Sequence, residues 1–393
     1  MILHGDCLEQ LKQLESNSID ALLTDPPYGL SQISMGDTHQ CLSAWLSGQN
    51  YEHSKSGFMG KKWDSFVPSP DVWKEVYRVL KHGAHGVVFA GTRTQDLMSI
   101  SLRLAGFEVR DTLMYLYGSG FPKSHNVSLA IDKKLGHPNR GKAIPTASQY
   151  QASDVEEKNK LTSNPVPEYT AKTTEAQDYS GQGTALKPAY EPIILIRKPL
   201  QGTIADNVLQ HGTGGLNIDD CRIRYSDGEN IDFSKMHEQK TASYEQSHWR
   251  GHIAKVGSKI QSYKPKGRFP ANVLLDETAA TQLDQQNNNA RFFYTSKASK
   301  KEREAGLDGL KKDTSAEITN RKEGSKGLMR VRENGSVGTN PYAGAAGGMN
   351  PRANIHPTVK PLDLIEYLLK LITPKKGTVL DPYGGSGTTA CAA

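Results

Sequence analysis

Two consecutive prolines directly after an apolar run constrain the fold of this chain more than any other feature. Residues 22–28 read L-L-T-D-P-P-Y, so a carboxylate ends the run and an aromatic ring follows the prolines. Proline fixes φ at about −65° and lacks an N–H, and the residue before each proline is displaced from the α region. The run therefore ends in a stiff, extended corner whose carbonyl groups are free to meet another partner.

The apolar pattern around this corner predicts an α/β sheet. Residues 19–24 are apolar on both faces, which is typical of a central parallel strand. A short apolar run over residues 1–4 and a helix capped by Asp6 precede it, so strand, helix and strand follow one another. Further strands are predicted at residues 86–90, 107–117, 192–196 and 378–380, and helices at residues 70–80, 96–104 and 363–371. We expect the first of these helices to end at residues 81–83, and the strands at 107–117 and 192–196 to pair antiparallel.

Composition favours a cytoplasmic protein that contacts a polyanion. The four cysteines are far apart and form no C-x-x-C pair, which argues against a zinc ribbon or a disulfide framework. No apolar stretch reaches the ~20 residues of a bilayer span, and the first residues do not resemble a secretory signal. The net charge is +6, with basic residues concentrated in residues 297–303. Such a run suits phosphates, although a solvated basic face explains it as well.

A second corner lies near the end of the chain. Residues 381–389 read D-P-Y-G-G-S-G-T-T and follow a short apolar strand. Residues 385–390 match the G-x-G-x-x-A pattern that lets a backbone approach a nucleotide closely. The lysine of a G-K-[ST] phosphate loop is missing, which disfavours a P-loop nucleotidase. Taken alone, the pattern is also satisfied by a tight strand-to-helix turn.

Three motifs together resemble the S-adenosylmethionine-dependent amino-group DNA methyltransferases. They are D-P-P-Y at residues 25–28, H-P-T-V-K-P at residues 356–361 and the glycine-rich motif at residues 381–389. Their order, with D-P-P-Y first and the glycine loop last, is similar to that of the β class, and the flanking sequences look like phage and prophage members. The resemblance implies a Rossmann-like α/β sheet with circularly permuted motifs and a large inserted DNA-recognition region. Cofactor and target base are then expected at adjacent carboxyl ends of strands.

The resemblance also implies a division of the chain into five segments. They are the target-base half of the catalytic domain (1–126), a flexible inserted loop (127–183), a returning strand (184–200), a target-recognition region (201–353) and the cofactor-binding half (354–393). In the family, a further strand after the glycine loop carries an acidic ligand of the ribose. This chain ends at Ala393 before such a strand, so we expect the C-terminal part of the sheet to be missing and the cofactor to bind weakly.

The resemblance assigns catalysis to the first corner, through Asp25, Pro26, Pro27 and Tyr28. The carboxylate of Asp25 and the carbonyl of Pro26 are expected to accept hydrogen bonds from an exocyclic amine, which frees the nitrogen lone pair for attack on a methyl group. Tyr28 is expected to stack on the base, which has to leave the duplex first.

Contacts with the cofactor S-adenosylmethionine are implied along the glycine loop and at three positions outside it. The residues implied are Asp381, Pro382, Tyr383, Gly384, Gly385, Ser386, Gly387, Thr388, Thr358, Lys360 and Asp6. Thr358 and Lys360 are expected to close over the methionine end. Two roles stay open for Asp381, contact with the cofactor ammonium or bracing of the loop, and Asp6 is equally well explained as a helix cap. No metal is implied.

The basic run is expected to contact DNA phosphates through Lys297, Lys300, Lys301 and Arg303, which would position DNA without reading its sequence. The expected reaction is site-specific methylation of adenine N6 in double-stranded DNA. Cytosine N4 is the nearest alternative, because the same corner can serve either amine. A truncated, inactive DNA-binding relative and a methyltransferase of RNA or of protein glutamine are further alternatives. A homodimer and a partner restriction nuclease are left open.

Overall fold

The computed structural model describes most of the expected catalytic core and parts of the segments between its elements. The described residues are 1–55, 57, 62–118, 124–137, 169–225, 267–287, 289–296, 329–331, 337–339 and 359–393. None of the helices in these ranges is both long and apolar enough to cross a bilayer.

A seven-stranded sheet forms the centre of the described structure. The strands are β1 (Ile19–Thr24), β2 (Leu80–Phe89), β3 (Glu108–Leu116), β4 (Tyr190–Arg197), β5 (Val273–Asp276), β6 (Tyr294–Ser296), β7 (Met329–Val331), β8 (Val337–Thr339) and β9 (Val379–Leu380). The order across the sheet is β6-β5-β3-β4-β2-β1-β9, while β7 and β8 pair separately. Within the sheet β4 runs antiparallel to both of its neighbours, and the other pairs are parallel. The carboxyl ends of six strands and the first residues of β4 therefore share one edge.

Helices cover both faces of this sheet. They are α1 (Cys7–Lys12), α2 (Met35–Leu46), α3 (Pro70–Val79), α4 (Gln95–Leu104), α5 (Val127–Lys134), α6 (Thr174–Gln177), α7 (Ile204–His211), α8 (Glu277–Asn287), α9 (Leu362–Ile372) and α10 (Thr388–Ala392). Because side chains alternate along a strand, Leu22 and Leu23 of β1 enter different cores. Leu22 packs in the core formed with α3 and α4, and Leu23 packs in the core formed with α9. The result is a three-layer, Rossmann-like α/β arrangement.

The predicted centre of the sheet is confirmed. All six residues of β1 are buried, and β3 pairs antiparallel with β4 as the sequence indicated. Helix α9 also lies where it was expected, and its apolar face is buried.

Two local predictions near the start of the chain are wrong. Residues 1–4 form no strand, and Met1 and Ile2 are almost fully exposed. Residues 81–83 do not end a helix but lie inside β2. The reason is tertiary, because the Gly83 N–H donates to the carbonyls of Lys198 and Pro199 at the end of β4, and the ammonium of Lys81 lies 2.6 Å from the Asp20 carboxylate.

Two short strands within residues 201–353, where a target-recognition region is predicted, extend the main sheet. Strands β5 and β6 extend it beyond β3, since the apolar residues Leu274 and Leu275 find a buried place beside that strand. Residues 285–287 complete helix α8.

Both ends of the expected inserted loop are helical. Helices α5 and α6 pack around Asp132, whose carboxylate accepts hydrogen bonds from the Tyr169 hydroxyl at 2.7 Å and from the Lys172 N–H at 2.9 Å. Thr173 donates two more, from its N–H and its hydroxyl. A satisfied buried carboxylate orders these ends, which the polar composition did not indicate. Residues 138–168 of the insertion lie outside the described residues.

Candidate active site

The two predicted corners lie side by side at the carboxyl edge of the sheet. Strand β1 pairs in parallel with β9, and Leu22 lies opposite Leu380. Asp25 follows one strand and Asp381 follows the other. The Thr24 hydroxyl donates a 2.8 Å hydrogen bond to Asp381 Oδ1 and so links them. Motifs more than 350 residues apart in sequence thus form one site.

Two polar side chains fix the backbone of the first corner. Asp64 is buried, and its Oδ1 accepts hydrogen bonds from the N–H groups of Tyr28 at 2.9 Å and Gly29 at 3.1 Å. The hydroxyl of Thr94 donates to the Tyr28 carbonyl. Gly29 has a φ of +66°, and a Cβ there would lie 2.9 Å from the Val67 nitrogen. The corner is therefore held in place from both sides of the Tyr28 peptide.

Asp25 is held by a hydrogen bond at each carboxylate oxygen. The Tyr28 hydroxyl donates to Oδ1 at 2.7 Å, and the ammonium of Lys360 donates to Oδ2 at 2.7 Å. The Pro26 carbonyl accepts no hydrogen bond from any described residue. Tyr28, expected to stack on a base, thus also orients the carboxylate through its hydroxyl.

Lys360 lies between two carboxylates. Besides Asp25, its ammonium is 3.8 Å from the Glu191 Oε2. The ammonium also lies 4.9 Å from the ring centroid of Phe89 and 5.4 Å from that of Tyr28. These distances allow cation–π attraction.

The electrostatics of this cluster follow from its burial. Burial alone would lower the pKa of Lys360, but the Glu191 and Asp25 carboxylates outweigh it and raise that pKa. Burial raises the pKa of Glu191 despite the nearby ammonium. Burial also raises the pKa of Tyr28 well above its ordinary value, with the Glu191 and Asp25 charges adding to the effect. Lys360 is therefore charged and Tyr28 is a neutral hydrogen-bond donor at neutral pH.

The second corner is a strand–turn–helix built around Asp381. Its carboxylate accepts hydrogen bonds from the Thr389 hydroxyl at 2.6 Å and from the Tyr383 N–H at 3.0 Å. Gly385 and Gly387 have φ values of +51° and +82°, and helix α10 starts directly after them. Of the two roles left open for Asp381, the structure shows the brace. Its burial raises its pKa, and its hydrogen bonds act in the opposite direction.

Asp6 is the N-cap of α1, and its Oδ1 accepts hydrogen bonds from the Leu8 N–H at 3.0 Å and the Glu9 N–H at 3.2 Å. Cys7, the next residue, forms a hydrogen bond with the Tyr383 side chain. The start of α1 therefore lies against the glycine loop. The capping role of Asp6 is confirmed, and its contact with a cofactor stays a prediction.

Comparison of the amino-acid sequence with known protein families identifies the family of this chain. A family model described as DNA methylase, of the N6 and N4 type, matches residues 19–393. The chain belongs to the DNA methylase family.

Individual relatives of this DNA methylase are distant. The Type II methyltransferase M.HindIII of Haemophilus influenzae is 24% identical over 234 residues, which are 55% of this chain and 64% of the relative. The chain thus spans slightly less than two thirds of that protein.

Similarities to solved structures are weak. The PvuII DNA methyltransferase (cytosine-N4-specific) aligns with a TM-score of 0.38 and 12% identity, over 99% of this chain and 76% of its own. TTHA0409 from Thermus thermophilus aligns with a TM-score of 0.34 and 12% identity, over 99% of this chain and 82% of its own.

One cavity brings together eight residues of the predicted site of this DNA methylase. It is lined by Leu23, Asp25, Lys360, Ile365, Asp381, Tyr383, Gly384, Gly385, Ser386, Thr388 and Thr389. Predicted residues Thr358, Lys297, Lys300, Lys301 and Arg303 lie outside the described residues. No group of metal-ligating side chains occurs within the described ranges.

The residues that line this cavity suit S-adenosylmethionine, the methyl donor of this family. Gly384, Gly385 and Ser386 are exposed at its mouth, and a Cβ added at Gly384 or Gly387 would meet no atom within 4 Å. A ligand can therefore approach the loop backbone closely. On the other side Asp25 lines the cavity, and its carboxylate oxygens can attract a sulfonium cation.

Three residues of the site were not found from the sequence. Asp64 ends a short 3-10 helix (Lys62–Asp64) and Thr94 is the N-cap of α4, and neither position carries a recognisable sequence pattern. Glu191 had a weak signal, because it is a charged residue at the head of the apolar run of β4. Only the antiparallel direction of that strand brings it to the active edge.

Proposed function

We propose that this DNA methylase transfers a methyl group from S-adenosylmethionine to adenine N6 at a specific site in duplex DNA. The observation that carries the proposal is the adjacency of the two corners. An oriented carboxylate lies beside an exposed glycine loop, next to a carbonyl that accepts no hydrogen bond from the described part of the chain, and Thr24 links the two corners through Asp381.

The first corner supplies what an exocyclic amine needs. The lone pair of such an amine is delocalised into the ring, so it is a poor nucleophile. Asp25 and the Pro26 carbonyl accept hydrogen bonds from the two N–H groups, which favours a tetrahedral nitrogen and localises its lone pair. Because Asp64 and Thr94 already hold the corner, these acceptors need little reorganisation during the reaction.

The cofactor supplies an electrophilic methyl group on a sulfonium. The loop from Gly384 to Thr388 holds it through backbone contacts, and Tyr383 and the start of α1 flank that loop. Lys360 and Thr358 are proposed for the methionine end, as the resemblance implies. The site then aligns the amine with the methyl, and such positioning supplies much of the rate. As the bond from nitrogen to the methyl carbon forms, the bond from sulfur to that carbon breaks, which leaves S-adenosylhomocysteine, and the amine releases one proton to solvent.

Tyr28 is proposed as the stacking partner of the flipped base. The residue is half-buried, and its hydroxyl donates a hydrogen bond to Asp25, which lines the cavity. The base and the carboxylate that receives its amine are thereby oriented by the same side chain.

The basic run is proposed as the phosphate-contacting segment. Strand β6 ends at Ser296, at the same edge as Asp25 and Asp381. Lys297 follows directly in sequence, and Lys300, Lys301 and Arg303 come shortly after. Contacts of this kind are sequence-independent, so the target site itself has to be read elsewhere in residues 201–353.

The test is methylation of unmethylated duplex DNA by the purified chain with methyl-labelled S-adenosylmethionine. The DNA is digested to nucleosides, and the labelled base is identified by mass spectrometry. Label in N6-methyladenine is expected, and label that disappears in Asp25→Ala assigns the activity to this corner. Label in N4-methylcytosine would keep the mechanism and replace the base.

Competition between acceptors separates the remaining alternatives. Equal masses of duplex DNA, RNA and unfolded protein are offered together, and label is expected in DNA alone. Label in RNA or in protein glutamine would overturn the choice of substrate. DNA binding without transfer to any acceptor would favour the inactive relative.

A further inference from the structure

Glu191 reaches the active edge only because β4 runs against its neighbours. In the register of β3 and β4, Glu191 lies opposite Tyr115, near the end of β3. Its side chain is mostly buried, with 23% of its surface exposed. A buried carboxylate needs a partner, and the one at hand is the ammonium of Lys360 at 3.8 Å.

The side chain of Lys360 is in turn confined by its neighbours. Its side chain is 7% exposed, and its ammonium is bounded by the two carboxylates and by the rings of Tyr28 and Phe89. An isolated ammonium in such a place would be strongly disfavoured. The position of Lys360 is therefore set jointly by Asp25 and Glu191, and removal of either leaves it poorly balanced.

We propose that Glu191 is a positioning residue of this DNA methylase, which acts on Asp25 through Lys360. The Glu191 carboxylate attracts the Lys360 ammonium from the side opposite Asp25. The ammonium holds Oδ2 of Asp25 by a hydrogen bond, and the Tyr28 hydroxyl holds Oδ1. The carboxylate thereby keeps the orientation in which its remaining lone pairs meet the target amine. The inference rests on the proposed methyl transfer.

Charge supports the same role. Asp25 and Lys360 alone sum to zero, whereas Glu191 makes the three-residue cluster net negative when both carboxylates are ionised. Positive charge moves from sulfur to nitrogen during the transfer, so it stays close to this wall of the cavity throughout. A net negative cluster stabilises that charge more than a neutral pair does.

The test compares four variants of the full chain in single-turnover methylation of duplex DNA. They are Glu191→Gln, Lys360→Met, the double variant of these two, and Glu108→Gln as a matched control. Glu108 accepts a 2.7 Å hydrogen bond from Arg197 across the same two strands, away from the cavity. The control therefore removes an ion pair between β3 and β4 without touching the site.

Loss of rate without loss of binding is the expected result. Glu191→Gln is expected to slow methyl transfer about tenfold, and Lys360→Met about 100-fold, because misplacement of a reacting group has effects of this size. The cofactor and DNA dissociation constants of Glu191→Gln stay within about twofold of wild type, and Glu108→Gln transfers at the wild-type rate. The double variant is no slower than Lys360→Met alone, since Glu191 acts through that ammonium.

Two results would overturn the proposal. One is a Glu191→Gln variant that transfers as fast as Glu108→Gln. The other is a loss in the double variant equal to the product of the single losses, which would mean that Glu191 acts independently of Lys360. Glu191→Asp and Lys360→Arg keep the charges and should recover part of the rate, whereas a purely structural role would track the unfolding temperature instead.

Failure of the proposed function gives a different pattern. Wild-type chain that methylates no DNA overturns the reaction itself, whatever the variants do. In that case the linkage of the three residues is tested through the free energy of unfolding. Asp25→Asn and Glu191→Gln are combined in a double-mutant cycle, which gives the coupling energy between the two positions. Coupling between them that vanishes in the Lys360→Met background supports the linkage, and equal coupling in both backgrounds excludes it.

Discussion

The two corners of the site differ in how firmly the surrounding protein holds them. At the first corner, Asp64 and Thr94 bind the backbone, and Tyr28 and Lys360 bind the reactive carboxylate. At the second corner the carboxylate of Asp381 braces the loop through hydrogen bonds from Thr389 and Tyr383, and Gly384 and Gly385 of that loop are exposed. The reacting atoms need fixed partners, whereas the cofactor needs an open backbone that it can approach. The two corners should therefore fail in different ways when they are altered.

The largest effect is expected at Asp25. Asp25→Asn keeps the shape of the side chain but removes the charge that pairs with Lys360. We expect methyl transfer to fall about 1,000-fold, which is the loss seen when one preorganised polar group is removed from a reacting centre. Cofactor affinity, measured by calorimetry, should change little. A large loss of cofactor affinity instead would mean that the corners are not functionally separate.

A smaller effect is expected at Asp64, which touches no reacting atom. Asp64→Ala removes the one oxygen that accepts from both the Tyr28 and Gly29 N–H groups, so the corner can shift and the rate should fall about 100-fold. The unfolding temperature should also fall, because buried donors lose their partner. Single-turnover rates and thermal unfolding measure the two effects.

The control for Asp64 is Asp71→Asn. Asp71 pairs with Lys74 on the exposed face of α3, with N and O 3.0 Å apart, and such surface pairs contribute little. Asp71→Asn should match wild type in rate and unfolding temperature. An Asp64→Ala enzyme that is destabilised yet transfers at the normal rate would show that the corner does not need this support.

Tyr28→Phe tests one hydrogen bond of the first corner. It removes the 2.7 Å bond to Asp25 Oδ1 and keeps the ring proposed to stack on the base. We expect a loss of about tenfold in the transfer rate, in line with one hydrogen bond to a charged group. DNA affinity, measured by fluorescence anisotropy, should be unchanged. A loss of DNA affinity with an intact rate would contradict the assignment of the hydroxyl to Asp25.

The smallest effect is expected at the second corner. Gly387 has a φ of +82°, and an added Cβ would meet nothing within 4 Å, so Gly387→Ala acts through backbone strain of roughly 1 kcal/mol. Strain that displaces the loop should weaken cofactor binding several-fold and leave the rate at saturating cofactor intact. Calorimetric titration and rates over a range of cofactor concentrations separate the two.

Gly212→Ala is the matched control for Gly387. Gly212 has a φ of +72° at the end of α7, also with nothing within 4 Å of an added Cβ. The same strain there should lower stability equally and leave cofactor binding unchanged. Equal effects of both variants on binding would show that the glycine loop has no special role.

Much of the fold was predictable because its signals are local. The buried strand β1, the antiparallel partners β3 and β4 and the amphipathic helix α9 all follow from runs of apolar residues. Strands β5 and β6 were placed outside the sheet because their short apolar runs lie in a polar region. A run of three or four residues becomes a strand only when a neighbouring strand supplies backbone hydrogen bonds and the surrounding residues bury its side chains. The presence of that neighbour cannot be read from the sequence of the run.

The site shows the same division. Sequence determined the two corners, since proline rigidity and glycine freedom act on the residues that carry them, and both corners lie at strand ends as predicted. Tertiary structure decided which side chains meet there. Lys360 and Asp25 are 335 residues apart, and Glu191 joins them only because β4 enters the sheet in reverse between β3 and β2. Such contacts depend on the direction and order of strands, which are set by how the whole chain packs rather than by any local stretch of it.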